Sequence, residues 1–496
     1  MNVGWRNKAA SSPAPNQLVP FALLLLLALV SCTVYLVSFT YSMPLLSFYD
    51  TPHMDAPKIL GVTEEAMARF LGTAALLWML YLAAFKVAGR LRPGRSMVVV
   101  LILTGLLNLA AIPMYPGGAG DLFAYVAEAD LVLKHHASPF DTPVSAFPAD
   151  ALVPYVDFPN ETTHYGPLWL AIGVTLRILS GSDLLTTVLV FKAAAAAFLL
   201  ATAWLVYLTL RRDHPRLAVQ GALLVAWNPL LVYELAGNGH NDVAMMLLVA
   251  LAFYFQARKS PRLAVAALLA AILIKYVAVV LLPLFLLRDL RQAGWWRDWL
   301  PRAVLYALVV AAGAGLLVAT VGLGGTVGVL QKQSRWFTTS LQSVASLWLS
   351  ERTSDAEAEG LAGLVGQAAF TFYYLFRLLR SWRRPDGLAS SSLAAIMAFM
   401  VLVVAWFQPW YVAWAIPIAA LAATPTAFAA ALGLTLGGFG VHAIMGFAWR
   451  LDLNQGSDLA INMAGALAVW LPTAVAAVLA SLRYFRRVDP SARSSL

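Results

Sequence analysis

Apolar runs of about 17–25 residues recur from one end of this chain to the other, with only short hydrophilic breaks between them. A helix of that length crosses roughly 30 Å of hydrocarbon. The chain has 496 residues, 60% hydrophobic and 12% charged, whereas a soluble domain carries about 25% charged residues. One core in water cannot hide so much apolar surface, so the bilayer must be the solvent. The expected fold is all-α and polytopic, with about 12–14 transmembrane helices.

The net charge of +9 raises the question of nucleic acid. The basic residues, however, fall in short breaks between apolar runs, which is the positive-inside pattern, and no nucleic-acid partner is expected. Lys86, Arg90, Arg92 and Arg95 form one knot; Arg211, Arg212 and Arg216 form another; Arg258, Lys259 and Arg262 form a third. Cys32 is the sole cysteine and lies inside the first apolar run, so there is no disulfide framework and no thiolate metal site. That run, about Pro20–Tyr41, is too long for a signal-peptide core, and no A-x-A pattern follows it. It is read as a helix that stays.

One break has the opposite sign. Between Pro113 and Tyr165 lie Asp121, Glu128, Asp130, Asp141, Asp150, Asp157 and Glu161, against Lys134 alone. If the basic knots are cytoplasmic, this segment is outside. The implied organisation is a disordered cytoplasmic head over 1–19, Ser/Pro-rich from Ser11 to Asn16, then a transmembrane domain over 20–487 and a cytoplasmic tail over 488–496. Within the domain, 114–183 is expected to be an extracytoplasmic loop with interfacial helices, and 322–360 a second outer loop. The short helix opened by Tyr165-Gly166-Pro167 is read as dipping in or lying along the interface, because the Lys/Arg bias then holds downstream. Leu263–Leu287 is bounded by basic residues yet is too short for two spans. A pair of half-helices meeting at Lys275-Tyr276 is expected, a break tolerated only where it lines a cavity. No internal repeat argues for a two-fold inverted transporter.

Asp121 closes Gly117-Gly118-Ala119-Gly120 and precedes Leu122–His136, whose apolar spacing predicts an amphipathic helix on the membrane surface. Asp121 itself has two readings: an N-cap after a glycine turn, or a carboxylate held at the mouth of a cavity. A cap does not explain the other carboxylates nearby, and the functional reading is preferred. His164 is either a substrate contact or a wet loop histidine. Asn241 and Asp242 could cap the next helix, but His240 makes the cluster denser than capping requires. Lys275, too far from a helix end to snorkel, needs a buried anion or a phosphate. Lys332 and Arg335 are candidates for phosphate or lipid headgroups. Trp336, Trp410, Tyr411 and Trp414 fit an interfacial aromatic belt; of these, Trp410 is kept as a substrate contact. No P-loop, G-x-G-x-x-G or H-E-x-x-H occurs, and the cytoplasmic breaks are too short for a nucleotide-binding domain. An activated donor should then arrive from the membrane or the outer face, which favours a lipid-linked one. No cofactor and no metal is expected.

The motifs occur in a set order. Gly120-Asp121-Leu122-Phe123-Ala124-Tyr125 is followed by Ala137-Ser138-Pro139-Phe140-Asp141 and His164-Tyr165-Gly166-Pro167-Leu168-Trp169. Gly239-His240-Asn241-Asp242, Ile274-Lys275-Tyr276 and Gln408-Pro409-Trp410-Tyr411 complete it. From about Met97 onward the chain resembles the membrane-embedded GT-C glycosyltransferases, and most of all the polyprenol-phosphate-mannose-dependent α-1,6-mannosyltransferases of bacterial envelope lipoglycans. Ala137, Ser138 and Phe140 stand where that family often has Gly-x-x-Pro-Tyr.

The resemblance implies an inverting transferase in the bacterial plasma membrane, with its site on the extracytoplasmic side. Asp121 would be the general base, and Lys275, His240 and Arg335 would cradle the phosphate. Tyr125, His164, Tyr165, Asn241, Asp242 and Trp410 would complete the substrate contacts. The donor would be a polyprenyl-phosphate-linked sugar, and the acceptor a mannan-type glycan or glycolipid. Two alternatives stand beside this: a cousin using polyprenyl-phospho-arabinose or -glucose, and a transporter or flippase of lipid-linked sugar. The lopsided acidic loop and the missing repeat weigh against the second.

Overall fold

The computed structural model describes residues 17–52, 54–292, 296–333, 338–383 and 387–488. The expected disordered head from Ser11 to Asn16, the tail beyond Val488, and Arg335 and Trp336 lie outside the described residues. Among the described residues there is no strand, only two isolated bridges, Pro44 with Met114 and Thr338 with Trp406. Among the described residues, seven helices are long and apolar enough to cross a membrane: Leu18–Thr40, Glu64–Ala88, Leu184–Asp213, Pro215–Gly237, Arg297–Gly322, Pro425–Ala448 and Asp458–Arg483. Six shorter apolar helices accompany them: Arg95–Ala111, Pro167–Ser180, Asp242–Ala257, Pro261–Ile272, Leu388–Leu402 and Pro409–Ala422. The protein is an all-α, multi-pass membrane protein.

Some of these helices are broken, and side chains take over where backbone partners are lost, as an apolar surrounding demands. Within Pro215–Gly237 the α-helix stops at Ala226 and restarts at Pro229, which has no N–H to donate. Asn228 fills the gap. Its Oδ1 accepts from the N–H groups of Leu230 and Leu231, both at 3.1 Å, and its Nδ2 donates to Thr435 Oγ1 at 2.7 Å. The Tyr35 and Tyr81 hydroxyls donate to the Pro229 and Leu224 carbonyls at 2.9 and 2.6 Å. The chain then runs on as a π-helix over Val232–Gly237. The half-helices expected around Lys275 are present. Pro261–Ile272 ends, Lys275 is extended (φ −148°, ψ 123°), a 3-10 segment covers Tyr276–Leu281, and Leu282–Gln292 resumes.

One expectation changes. The stretch after Asp121 is a helix, Asp121–Leu133, but it does not lie on a surface: Leu122, Phe123 and every residue from Tyr125 to Leu131 are buried. Pro167–Ser180, Leu184–Asp213 and the short turns Val144–Ala146 and Val153–Tyr155 pack around it. Its polar side is filled from within the protein, Asp130 by Arg177 and Lys134, and Glu128 by Thr163. The described residues of 322–360 are largely helical. Trp296–Gln333 kinks at Gly322, Leu341–Ser350 is a helix with a Ser340/Ser343 capping box, and Asp355–Arg383 follows. His442–Ala448 continues the preceding helix in π form.

Candidate active site

Three breaks in helical structure meet at one place: the glycine turn before Asp121, the turn between Gly237 and Asp242, and extended Lys275. Asp121 is the first residue of its helix. Gly120 holds the cap position, so the capping reading fails. The carboxylate is instead held across the fold. Its Oδ2 accepts from the Tyr165 hydroxyl at 2.9 Å and lies 3.4 Å from His240 Nδ1. The side chain keeps 24% of its surface accessible. The turn behind it is pinned by two side chains. Gly118 N donates to Asn238 Oδ1 at 3.1 Å, and Gly120 N donates to Asp157 Oδ2 at 3.0 Å. A Cβ at Gly118 would fall 2.3 Å from Asn238 Nδ2, so this approach requires glycine.

Tyr165 is positioned by its neighbours. Gly166 N donates to the Ile274 carbonyl and Leu168 N to the Leu273 carbonyl, both at 2.9 Å. The motif is thereby tied to the break at Lys275. A Cβ at Gly166 would meet Leu273 O at 2.1 Å, which bars any larger residue. Pro167 opens the following helix at its first position, as expected.

The Gly239–Asp242 turn supplies the next groups. His240, fully buried, stacks on Trp410 with ring centroids 4.0 Å apart and 16° between planes. Its Nε2 lies 3.4 Å from Glu234 Oε2. Asp242 does not cap its helix through any side-chain bond; both of its oxygens accept from Lys275 Nζ, at 2.8 and 2.9 Å, and Trp414 Nε1 donates to Oδ1. Lys275 is therefore an ion-pair partner, and it also lies 5.1 Å from the centre of the Tyr411 ring. Trp410, Tyr411 and Trp414 are buried around these groups, which overturns the interfacial-belt reading for them. Tyr125 OH accepts from Asn241 N at 3.4 Å, and its ring meets Tyr165 and Trp169 edge-on at 4.9 Å. The Asn241 side-chain amide is buried with no hydrogen-bond partner among the described residues on either polar atom, an arrangement native proteins rarely keep without a use.

The electrostatics follow from this packing. Burial pushes the Asp121 carboxyl up, but His240, His164 and Lys275 outweigh it and hold the group well below the usual carboxylate range. Burial pulls the His240 imidazole down, while Asp121 and Glu234 on its two nitrogens raise it to about 9. The two shifts run in opposite directions and both favour the charged forms, a carboxylate beside an imidazolium.

Two cavities lie nearby. One, of about 310 Å³, is lined by His164, Lys275 and Tyr276 and otherwise mainly by apolar side chains such as Val280, Phe399 and Val403. The other, of about 470 Å³, carries Asp55, Gln408, His442, Trp449, Arg450 and Asn462. Trp406 lines both. Sequence reasoning missed Glu234 and His442, which stand behind His240. The one signal was an acid inside an apolar run. Among the described residues, no group of three or more His, Cys, Asp or Glu side chains is arranged to hold a metal ion.

Residues 21–291 match the sequence model of a family described as alpha-(1->6)-mannopyranosyltransferase, N-terminal domain. The chain is 25% identical over 405 residues to alpha-(1->6)-mannopyranosyltransferase A of Mycobacterium tuberculosis, covering 73% of this chain and 74% of that one. It is 26% identical over 189 residues to alpha-(1->6)-mannopyranosyltransferase A of Corynebacterium glutamicum, covering 38% of this chain and 36% of that one.

Proposed function

The chain belongs to the alpha-(1->6)-mannopyranosyltransferase family and is a membrane mannosyltransferase; on that footing we propose that it moves mannose from a polyprenyl-phosphate carrier to a mannan-type glycan or glycolipid on the extracytoplasmic face of the bacterial plasma membrane. The observation that carries this reading is the Asp121 carboxylate, partly accessible and braced by Tyr165 and His240, beside an apolar cavity lined by Lys275 and His164.

The smaller cavity suits the donor. Its valines and Phe399 would receive isoprenoid, and Lys275 and His164 would meet the phosphate. The larger one, with its tryptophans and hydrogen-bonding side chains, suits the acceptor sugar. Tyr165 and His240 both engage Asp121 Oδ2, so Oδ1 is assigned to the acceptor. It takes the hydroxyl proton as the acceptor oxygen bonds to the anomeric carbon. The bond from that carbon to the phosphate oxygen breaks in the same displacement, inverting the centre and releasing polyprenyl phosphate. The leaving group is a stable anion, so cations and N–H donors can carry the charge that develops.

The test is transfer in vesicles from radiolabelled polyprenyl-phospho-mannose to a short mannoside. Asp121→Asn should lose about 10²–10⁴ in rate, while Glu161→Gln should retain activity. Equal rates in the two variants would remove Asp121 from the base role. Labelling of a cysteine placed at position 119 from the cytosolic side alone would reject the sidedness.

A further inference from the structure

Glu234 is fully buried, and no step above uses it. It sits on the π-helical segment Val232–Gly237, and His442 opens a second π-helical segment, His442–Ala448. The two segments meet through Glu234 Oε1 and His442 Nε2. The other oxygen, Oε2, accepts from Asn238 Nδ2 at 3.0 Å and lies 3.4 Å from His240 Nε2. A line of four groups thus runs His442, Glu234, His240, Asp121, and its far end borders the larger cavity. Isolated π-helical turns gather at functional sites. A buried carboxylate adds little stability over an apolar residue of similar size, so stability alone is a poor account of this one.

We propose that Glu234 and His442 are positioning residues for mannosyl transfer, holding His240 as a doubly protonated imidazolium with one N–H directed at Asp121. This rests on the reading of Asp121 as base. The argument is one of donors and acceptors. His240 Nδ1 and Nε2 are both buried and neither makes a hydrogen bond of ordinary geometry, yet each lies 3.4 Å from a carboxylate oxygen; a neutral imidazole carries one N–H, and only the imidazolium has a proton for both sides. Trp410 fixes the ring plane and favours the cation. Asn238 donates to Glu234 Oε2 and His442 pairs with Oε1, and His240 is the third polar neighbour of this carboxylate. Asn238 also holds the glycine turn through Gly118, so the same carboxylate braces the base from two sides. Other titratable groups nearby are the Asp242–Lys275 pair, which neutralises itself, Lys192, whose Nζ donates to the Met114 carbonyl, and His164. The resulting cation keeps Asp121 oriented and offsets charge as phosphate departs.

The experiment uses the full chain in vesicles and reads transfer against pH. The protein should lose activity on the alkaline side. In Glu234→Gln that limb should fall by roughly 1–3 pH units, the effect of removing one adjacent opposite charge, with transfer recovering toward lower pH. His442→Gln should move it in the same direction by less. A loss by the same factor at every pH in Glu234→Gln would overturn the proposal, since a purely structural role predicts that. A second readout needs no turnover. Imidazolium quenches a stacked indole, so the fluorescence difference between the protein and Trp410→Phe should step at the pH of the alkaline limb, and earlier in Glu234→Gln. A step that Glu234→Gln and His442→Gln leave in place would overturn the proposal even if Asp121 proves to be the base. Full transfer in Asp121→Asn would reject the base reading without touching the step.

Discussion

Lys275 can hold two jobs, and one double variant separates them. Its ammonium lies 2.8 and 2.9 Å from the two oxygens of Asp242. The Asp242 side chain is fully buried and the Lys275 side chain is 10% exposed. Lys275→Met leaves that carboxylate with the neutral Trp414 N–H as its side-chain donor and no counter-charge, and breaking a buried pair from one side costs about 3–5 kcal/mol. Adding Asp242→Asn removes the stranded charge and should return most of that loss. The two positions are in contact, so the effects will not add, and the coupling is itself the measure of the pair. Donor binding behaves differently. A hydrogen bond from lysine to phosphate contributes about 1.5–3 kcal/mol, roughly a ten- to hundredfold change in affinity. In the double variant, thermal unfolding in detergent should return close to that of the parent, while the KM for polyprenyl-phospho-mannose stays raised by that factor at saturating acceptor. A double variant with the parent's donor KM would show that Lys275 only neutralises Asp242, and the phosphate contact would be refuted.

The pH profile of kcat/KM should lack an acid limb in the ordinary carboxylate range, because Asp121 is held below it, and should fall as pH rises through about 9, where His240 gives up its proton. An alkaline limb near 6.5 would contradict the imidazolium. Gly166→Ala places a methyl 2.1 Å from Leu273 O and must part Tyr165 from Asp121. It should lower transfer at least as much as Tyr165→Phe, and parent-like rates would refute the coupling. Burial raises Glu128 to about 8. The unfolded chain ionises this group near 4.5, so stability should drain as pH climbs from there toward 8. Glu128→Gln should flatten that decline in melting temperature measured from pH 5 to 8, and an unchanged slope would exclude Glu128 as its source.

The apolar runs and the basic knots were sufficient to identify a polytopic helical protein, and the oddly short Leu263–Leu287 stretch located the break at Lys275. What the pattern could not distinguish was lipid from protein as an apolar neighbour. Trp410, Tyr411 and Trp414 have the composition of an interfacial belt, yet they are buried on His240, Lys275 and Asp242. Leu122–His136 has the spacing of a surface helix, yet its polar positions are satisfied inside the protein. Glu234 and His442 were missed because each stands alone in an apolar run, and only the fold brings them within reach of each other. The acidic segment itself carries the same lesson. Asp130 pairs with Arg177 and Lys134, and Asp150 pairs with His135, partners that come from within 50 residues of chain. Asp121 is different, since His240 reaches it across more than a hundred residues. An acid that local cations neutralise is explained by local folding. An acid that the fold must carry to a distant histidine beside a cavity is not, and that is why Asp121, among the carboxylates of one segment, is the one we propose as the base.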